Sequence, residues 1–197
     1  MPFSHSAEYI EQAFEKVEYS NKKILAKEFV ECSFVQCDFS ESVFQNCKFM
    51  ECEFQQCNLS LLKLIGSSFA NTRFEDSKVI GVNWTEISWP KIKLSYPIKF
   101  VKCDISLSTF IGLDLREIVI KECRACDVDF READLTKAEL ACTDFSKSQF
   151  FETNLTSADF SYARNYSIDI YQNKITKAKF SLPEALSLLD AVDIELK

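Results

Sequence analysis

Large apolar residues recur at every fifth position along nearly the whole chain. One series covers residues 14–94, and after a shift of one residue near Tyr96 a second series covers residues 100–180. Sixteen of the 18 phenylalanines and both tryptophans fall on these series. Of the 34 positions, only Ala125 and Asn165 are not large and apolar. Chance does not produce such a pattern, so any fold proposed for this chain must explain a period of five.

A period of five fits neither regular secondary structure. Residues spaced by five drift around a helix and alternate between the two faces of a strand. They form one dry column if the chain turns a corner in each pentapeptide and the central residue points at the axis of a coil. The residues two positions before the centres are small, as the corners of a narrow coil require: Cys32, Cys37, Ser42, Cys47, Cys52, Cys57, Ala133, Ala138, Thr143, Ser148, Thr153, Ala158 and Ala163.

The order of residue types within each pentapeptide resembles that of the pentapeptide repeat family. Close copies of the family pattern are Ala133-Asp134-Leu135-Thr136-Lys137 and Thr153-Asn154-Leu155-Thr156-Ser157. The resemblance implies an all-β fold, a right-handed quadrilateral β-helix with four repeats per coil. With 34 repeats, the rod would have about 8.5 coils and a length of roughly 40 Å at the usual strand spacing of about 4.8 Å.

Departures from the period divide the chain into a lead (residues 1–11), the β-helix (12–182) and a C-terminal cap (183–197). Residues 6–19 could alternatively form a short amphipathic helix, although degenerate repeats are favoured. The extra residue near 95–97 predicts a bulge that divides the rod into two stacks.

The period ends after Ser181, and the sequence that follows predicts a short α-helix with proline in its first turn. This helix would cover the apolar interior of the last coil. In one interpretation Leu182, Leu186 and Leu189 only plug the rod. In the other, the helix and a following strand over residues 193–196 form a homodimer around a two-fold axis. The residues assigned to the cap and dimer surface are Leu182, Leu186, Leu189, Val192 and Ile194.

Catalysis finds little support in the sequence. The chain has a single histidine, His5, and its three glycines stand apart, so neither a Ser/His/Asp set nor a phosphate-binding loop is predicted. Seven of the nine cysteines lie on the small inward register and read as reduced, structural thiols, so we expect no metal or other cofactor.

Charge and hydropathy narrow the choice of partner and compartment. A net charge of −7 and a pI near 4.9 disfavour direct binding to nucleic acid. No apolar run is long enough for a membrane span, and the first ten residues do not resemble a signal peptide. A cytoplasmic, non-enzymatic protein is expected.

Several segments narrow the resemblance to the gyrase-protecting members of the family. The chain looks most like albicidin-resistance proteins and, more distantly, microcin-immunity and Qnr quinolone-resistance proteins. This likeness implies a C-terminal homodimer that binds DNA gyrase, and in some cases topoisomerase IV, and shields it from poisons. A general protein-interaction scaffold is the alternative. The segments that carry the likeness are Leu182-Pro183-Glu184-Ala185, Ser187-Leu188-Leu189, Asp193-Ile194-Glu195-Leu196, Val82-Asn83-Trp84-Thr85 and residues 34–59.

An acidic wall is the candidate site for such a partner. If the coil keeps four repeats per turn through the insertion, one wall is built on Phe29, Phe110 and the centres in register with them, and it carries a local charge of −4. Our hypothesis is that this wall imitates DNA and faces the positively charged DNA saddle of gyrase. An acidic surface that only faces solvent is the alternative. The acids of the predicted wall are Glu28, Glu31, Glu51, Asp129, Glu132, Glu152 and Asp169.

Overall fold

The computed structural model describes residues 3, 6–89, 98–192 and 194, which form a coil of short parallel strands. Each strand pairs with strands one turn below and above it, so the sheets run along the rod. The fold class predicted from the sequence is confirmed. The strands are β1 Glu8–Ile10, β2 Ala13–Glu15, β3 Lys23–Leu25, β4 Glu28–Val30, β5 Ser33–Val35, β6 Val43–Gln45, β7 Lys48–Met50, β8 Glu53–Gln55, β9 Ser68–Ala70, β10 Thr72–Glu75, β11 Ile98–Val101, β12 Val119–Lys121, β13 Asp159–Phe160 and β14 Lys179–Phe180; two 3-10 helices cover Trp84–Glu86 and Glu184–Ala191.

The central residues of the pentapeptides line four faces of the rod. On each face, the centre of one coil lies against a centre 20 residues away, as in the pairing of Phe14 with Phe34 and of Phe34 with Phe54. Face 1 carries Tyr9, Phe29, Phe49 and Phe69 and then Leu115, Leu135 and Leu155; face 2 carries Phe14, Phe34, Phe54, Phe74, Phe100 and Ile120; face 3 carries Tyr19, Phe39, Leu59, Val79, Ile105, Ala125 and Phe145; face 4 carries Ile24, Phe44, Leu64, Trp84, Phe110, Phe130 and Phe150.

Each pentapeptide turns its corner at the second residue after the centre. These corner residues adopt left-handed backbone conformations, as at Glu11 (φ 50°), Lys16 (φ 52°) and Asn21 (φ 54°). A left-handed conformation costs an L-residue about 1 to 2 kcal/mol. Most corner N–H groups donate a hydrogen bond to a carbonyl of the next coil, for example from Glu11 to Val30 at 2.9 Å, which offsets that cost. One corner per five residues is the geometric origin of the sequence period.

Aromatic rings fill the axis of the N-terminal half in continuous stacks. Phe34 and Phe54 have ring centroids 4.5 Å apart and planes within 7°, and Phe54 and Phe74 follow at 4.9 Å and 10°. The same arrangement joins Phe29 to Phe49 at 5.0 Å. Identical rings at a spacing close to the strand spacing can stack in one rotamer, so a column of phenylalanine fills the tube with few voids.

The second inward column is small, as predicted, and it satisfies the backbone. The Ser42 hydroxyl donates to the Tyr19 carbonyl at 2.6 Å, and the Thr143 hydroxyl donates to the Ile120 carbonyl at 2.8 Å. Thiols take the same place, with Cys32 donating to Tyr9. Burial raises the pKa of the Cys52 thiol to about 12, which suits an inert thiol. The seven cysteines predicted to point inward are buried and free: Cys32, Cys37, Cys47, Cys52, Cys57, Cys103 and Cys123.

The N-terminal residues belong to the coil. Residues 6–19 contain β1 and β2 and form no helix, which confirms the favoured interpretation of degenerate repeats. Phe3 lies on the axis below the first coil, is 4% exposed and contacts the rings of Phe14 and Tyr19 at 5.2 and 5.1 Å. Phe3 therefore closes the N-terminal end of the tube, a role that sequence reasoning missed because Phe3 is off the period.

The turn that contains the insertion is longer than the others. Residues of β10 pair with residues of β11 at a separation of 26, as Phe74 does with Phe100, instead of the usual 20. The turn thus holds one complete additional pentapeptide besides the single extra residue. The predicted bulge near 95–97 lies outside the described residues. The additional pentapeptide changes which residues share a face in the C-terminal half.

The period also slips before the C-terminal cap. Asn165, expected at a centre, is exposed, and Tyr166 and Ile168 are buried in its place. The helix Glu184–Ala191 covers this end, as predicted, but it is a 3-10 helix and not an α-helix. Its Leu186 N–H donates to Pro183, three residues back. Neither helix in the described part of the chain is long and apolar enough to cross a bilayer.

Candidate interaction surface

The structure separates the seven predicted acids into two groups on adjacent faces. Trp84, not Trp89, stacks beneath Phe110, with ring planes 8° apart, because the long turn contains an additional pentapeptide. The single predicted wall is therefore corrected. The first acidic patch comprises Glu28, Glu31 and Glu51 on the N-terminal half of face 1, and the second acidic patch comprises Asp129, Glu132, Glu152 and Asp169 on the C-terminal half of face 4.

Two further carboxylates join the first acidic patch. Glu8 pairs in register with Glu28, and Glu11 occupies the corner one coil below Glu31. Sequence reasoning missed both because the predicted wall started at Phe29, although each lies 20 residues before a predicted acid. On this part of face 1, five carboxylates stand against two ammonium groups, that of Lys48 and that of Lys27, which lines the same depression as Glu8 and Glu28, so the local charge is −3.

The geometry of the first acidic patch leaves most of its charge uncompensated. Lys48 forms an ion pair with Glu28 at 3.2 Å. The corner carboxylates of Glu11, Glu31 and Glu51 follow one another in successive coils, and no ion pair to them occurs among the described residues. Carboxylates aligned at the coil spacing repel one another, so this row does not stabilise the fold. An outward column of apolar residues separates the row of corner carboxylates from the row formed by Glu8, Glu28 and Lys48. This column contains Ile10, Val30, Met50 and Ala70.

The second acidic patch is partly neutralised by its own contacts. Arg131 donates two hydrogen bonds to Asp129, at 2.9 and 2.8 Å, and this guanidinium lowers the pKa of the Asp129 carboxyl. Asp169 accepts the backbone N–H of Tyr171 at 2.7 Å. Glu132 and Glu152 remain, at exposed corners with φ of 60° and 53° and without an ion-pair partner in the part of the chain that the structure describes.

The residues assigned to the cap fall into two classes. Leu182, Leu186 and Ile194 are 77%, 48% and 52% exposed, so Leu182 and Leu186 do not plug the tube as one interpretation required. Leu189 and Val192 are half-buried. Leu188, which sequence reasoning did not single out, packs against the core. Apart from Ile194, the predicted dimerisation strand over 193–196 lies outside the described residues.

Groups with catalytic or metal-binding chemistry are sparse in the described part of the chain. No cluster of three or more His, Cys, Asp or Glu side chains there could hold a metal ion. One surface depression is lined by the polar side chains of Glu41, Lys63, Asn83 and Glu86 and by the apolar side chains of Leu61 and Leu62. The surface instead has two acidic patches and exposed apolar side chains at the C-terminal end. Features of this kind are typical of surfaces that contact other macromolecules.

Comparisons with known proteins agree with the architecture. A family model described as Pentapeptide repeat region matches residues 27–96, and one described as Pentapeptide repeats (8 copies) matches residues 114–150 and 129–164. No curated protein sequence matches this chain.

Among solved structures, two trypsin-treated variants of QnrB1, a plasmid-mediated fluoroquinolone resistance protein, are similar in fold. One is 18% identical, with 96% of this chain and 90% of that chain covered and a TM-score of 0.66. The other is 15% identical, with 96% and 97% covered and a TM-score of 0.66. At such identities the likeness concerns the fold alone. Because the repeat matches together span more than half of its length, this chain belongs to the pentapeptide repeat family.

Proposed function

We propose that this protein binds DNA gyrase, or the related topoisomerase IV, at the surface that normally holds DNA and protects the enzyme from a topoisomerase poison. Bacteria carrying the protein would gain antibiotic resistance or self-immunity. The proposal is supported by the resemblance to gyrase-protecting pentapeptide proteins and by a rod that shares its fold with a fluoroquinolone resistance protein. The observation that carries it for this chain is the uncompensated first acidic patch on a regular rod.

The charge density of the protein favours imitation of DNA by one patch over imitation along the whole rod. A duplex of roughly 40 Å carries about 24 negative charges, at one per 1.7 Å, whereas the chain has a net charge of −7. Between Glu8 and Glu51 the first acidic patch crosses three coils, about 10 Å, and a duplex of that length has roughly six charges, about three of them on one side. The local charge of −3 on face 1 matches that density. A positively charged DNA-binding surface would attract this face and speed encounter.

Charge reversal tests the proposal in a gyrase supercoiling assay containing albicidin, a fluoroquinolone or microcin. Because Lys16 and Lys102 occupy the same left-handed corner position, Glu→Lys changes at corners preserve the backbone. We expect Glu31→Lys with Glu51→Lys to raise the protein concentration needed for protection about tenfold or more, since a like charge at an interface costs several kcal/mol. Glu132→Lys with Glu152→Lys tests the second acidic patch in the same way.

The matched control is Glu41→Lys with Glu122→Lys, which changes the net charge equally at exposed corners of faces 3 and 2. The control should protect gyrase like the unchanged protein. Full protection by both patch variants would eliminate both acidic surfaces as the contact. Failure of the unchanged protein to protect gyrase or topoisomerase IV from any poison would favour the scaffold alternative.

We further propose that the protein is a homodimer joined at the C-terminus. The support is the concentration of exposed apolar side chains at that end, where Leu182, Leu186 and Ile194 lie beyond the last coil. Burying them would contribute roughly 25 cal/mol per Å² of apolar surface removed from water. We expect Leu186→Asp to shift sedimentation toward the monomer mass of 22.7 kDa. Leu107→Asp, at an exposed corner of face 3, should leave the dimer intact. A dimer unaffected by Leu186→Asp would contradict this assignment.

A further inference from the structure

Exposed aromatic side chains are confined to the C-terminal end of the described rod. Phe151, Tyr162 and Tyr171 are 44%, 77% and 74% exposed, whereas the phenylalanines of the central columns are buried, apart from the partly buried Phe180. Phe151 and Tyr171 lie in successive coils on face 4, but the register is shifted by one residue there, since the Glu132 N–H donates to the Phe151 carbonyl whereas the Glu152 N–H donates to the Gln172 carbonyl, at 3.1 Å. We call Phe151, Tyr171 and the corner carboxylates of Glu132 and Glu152 the aromatic strip.

The fold does not require aromatic residues at these two positions. The corresponding outward positions of the other coils on face 4 hold aliphatic or polar residues and no aromatic one: Leu25, Gln45, Ile65, Thr85, Ile111 and Arg131. Phe151 is also one of the two phenylalanines that lie off the period of five. Large exposed rings give up favourable burial, and aromatic residues are enriched in the centres of protein interfaces. Phe151 and Tyr171 therefore favour a contact with another molecule and add little to the core.

A polar network holds the backbone of the turn that contains Tyr171. Asp169 accepts the N–H groups of Tyr171 and Gln172 at 2.7 and 3.3 Å. The buried Asn173 amide donates to the carbonyls of Asp169 and Phe150, at 2.9 and 3.0 Å, and so fastens the turn to the coil below. A backbone that is already fixed reduces the entropy that the turn loses on binding, which favours a preformed contact surface.

The carboxylates beside the aromatic rings indicate that the ligand of the aromatic strip is a cation. Glu132 and Glu152 flank the rings at exposed corners, while Asp129 is already neutralised by Arg131. A planar guanidinium stacks on an aromatic face and hydrogen-bonds to carboxylates at the same time, which an ammonium group does less well. We propose that the aromatic strip binds an arginine-bearing segment of a partner protein. This inference rests on the proposed function in treating face 4 as a partner surface, and its test uses peptides so that the two can fail separately.

Binding of fluorescent hexa-arginine and hexa-lysine peptides to the full chain tests the strip. We expect the hexa-arginine peptide to bind several-fold more tightly. Phe151→Thr with Tyr171→Gln, which installs residue types found on other coils of face 4, should weaken hexa-arginine binding about tenfold and abolish the preference for arginine. Glu132→Gln with Glu152→Gln should weaken binding of both peptides. Tyr162→Gln, an exposed aromatic at a corner of face 2, is the matched control and should change neither affinity.

Several results would overturn the inference. Equal affinities for the two peptides, or hexa-arginine binding unaffected by Phe151→Thr with Tyr171→Gln, would show that charge alone attracts the peptide. A fall in the sedimentation mass of that variant would show that a second copy of the chain covers the strip. If the peptide binds as expected while the unchanged protein gives gyrase no protection, the strip stands and the proposed function fails.

Discussion

Trp84→Ala is expected to lower the free energy of unfolding by about 3 to 5 kcal/mol, among the largest effects of any single substitution in this chain. The Trp84 ring is 1% exposed and stacks on Phe110 at 5.7 Å. It also meets Phe74 and Phe100 edge to face, at 6.0 and 5.3 Å. Trp84 is thus the side chain that joins the aromatic stacks on both sides of the long turn, and alanine would leave a cavity between them.

Two further variants make this prediction specific. Trp84→Phe should cost much less than Trp84→Ala, because the Trp84 Nε1 is buried without an acceptor among the described residues and phenylalanine removes that donor. Trp89→Ala should also cost less, since Trp89 is only partly buried and its Nε1 donates to the Trp84 carbonyl at 2.9 Å. Urea unfolding followed by circular dichroism measures all three. Equal costs for Trp84→Ala and Trp89→Ala would refute the joining role of Trp84.

The coil could be predicted because the residue types within each pentapeptide determine the conformation of that pentapeptide. A corner residue, a small inward residue and a large central residue recur whatever lies elsewhere in the chain, as at Glu31, Cys32 and Phe34. In a solenoid each repeat contacts only its neighbours, so local pattern and global fold coincide. The burial of the seven inward cysteines follows from the same register.

The faces could not be predicted across the insertion. A shift of one residue in the period of five shows that the insertion contains one residue plus some whole number of pentapeptides. It does not show how many pentapeptides there are. One extra residue and six extra residues leave Phe100 in the same phase, but they place it on different faces. The structure has six, since Phe74 pairs with Phe100, and the acids after the insertion move from face 1 to face 4. The face that each residue after the insertion occupies is shown only by the hydrogen-bonded pairing between coils.

The ends of the rod escaped prediction for a different reason. A terminal coil has a neighbour on one side only, so its closure depends on residues outside the repeat. Phe3 at the N-terminus and Leu188 at the C-terminus contact the core without lying on the period. Near the C-terminus, Tyr166 and Ile168 fill the place that Asn165 vacates. The aromatic strip arises from the same irregular segment, consistent with the expectation that local rules are broken where function requires it.

Asn173→Ala should lower the free energy of unfolding by on the order of 3 kcal/mol, an unusual cost for an asparagine. Asn173 is 8% exposed and occupies the small inward column, where its side chain makes three hydrogen bonds. It donates to Phe150 and Asp169 and accepts the Thr153 N–H at 3.0 Å. Alanine would leave the buried Phe150 carbonyl, the buried Thr153 N–H and the partly buried Asp169 carbonyl without these partners, at about 1 kcal/mol each.

Ser67→Ala supplies the comparison, because Ser67 occupies the same column and makes two hydrogen bonds, to Phe44 and from Cys47. Alanine would leave one buried carbonyl and one buried N–H without these partners, so by the same reasoning this change should cost less, about 2 kcal/mol. Asn173→Ala should in addition release the turn that presents Tyr171 and reduce hexa-arginine binding, whereas Ser67→Ala should not. Urea unfolding and peptide titration of both variants separate the two roles. A difference below about 0.5 kcal/mol between them would mean that the Asn173 network does not hold the turn.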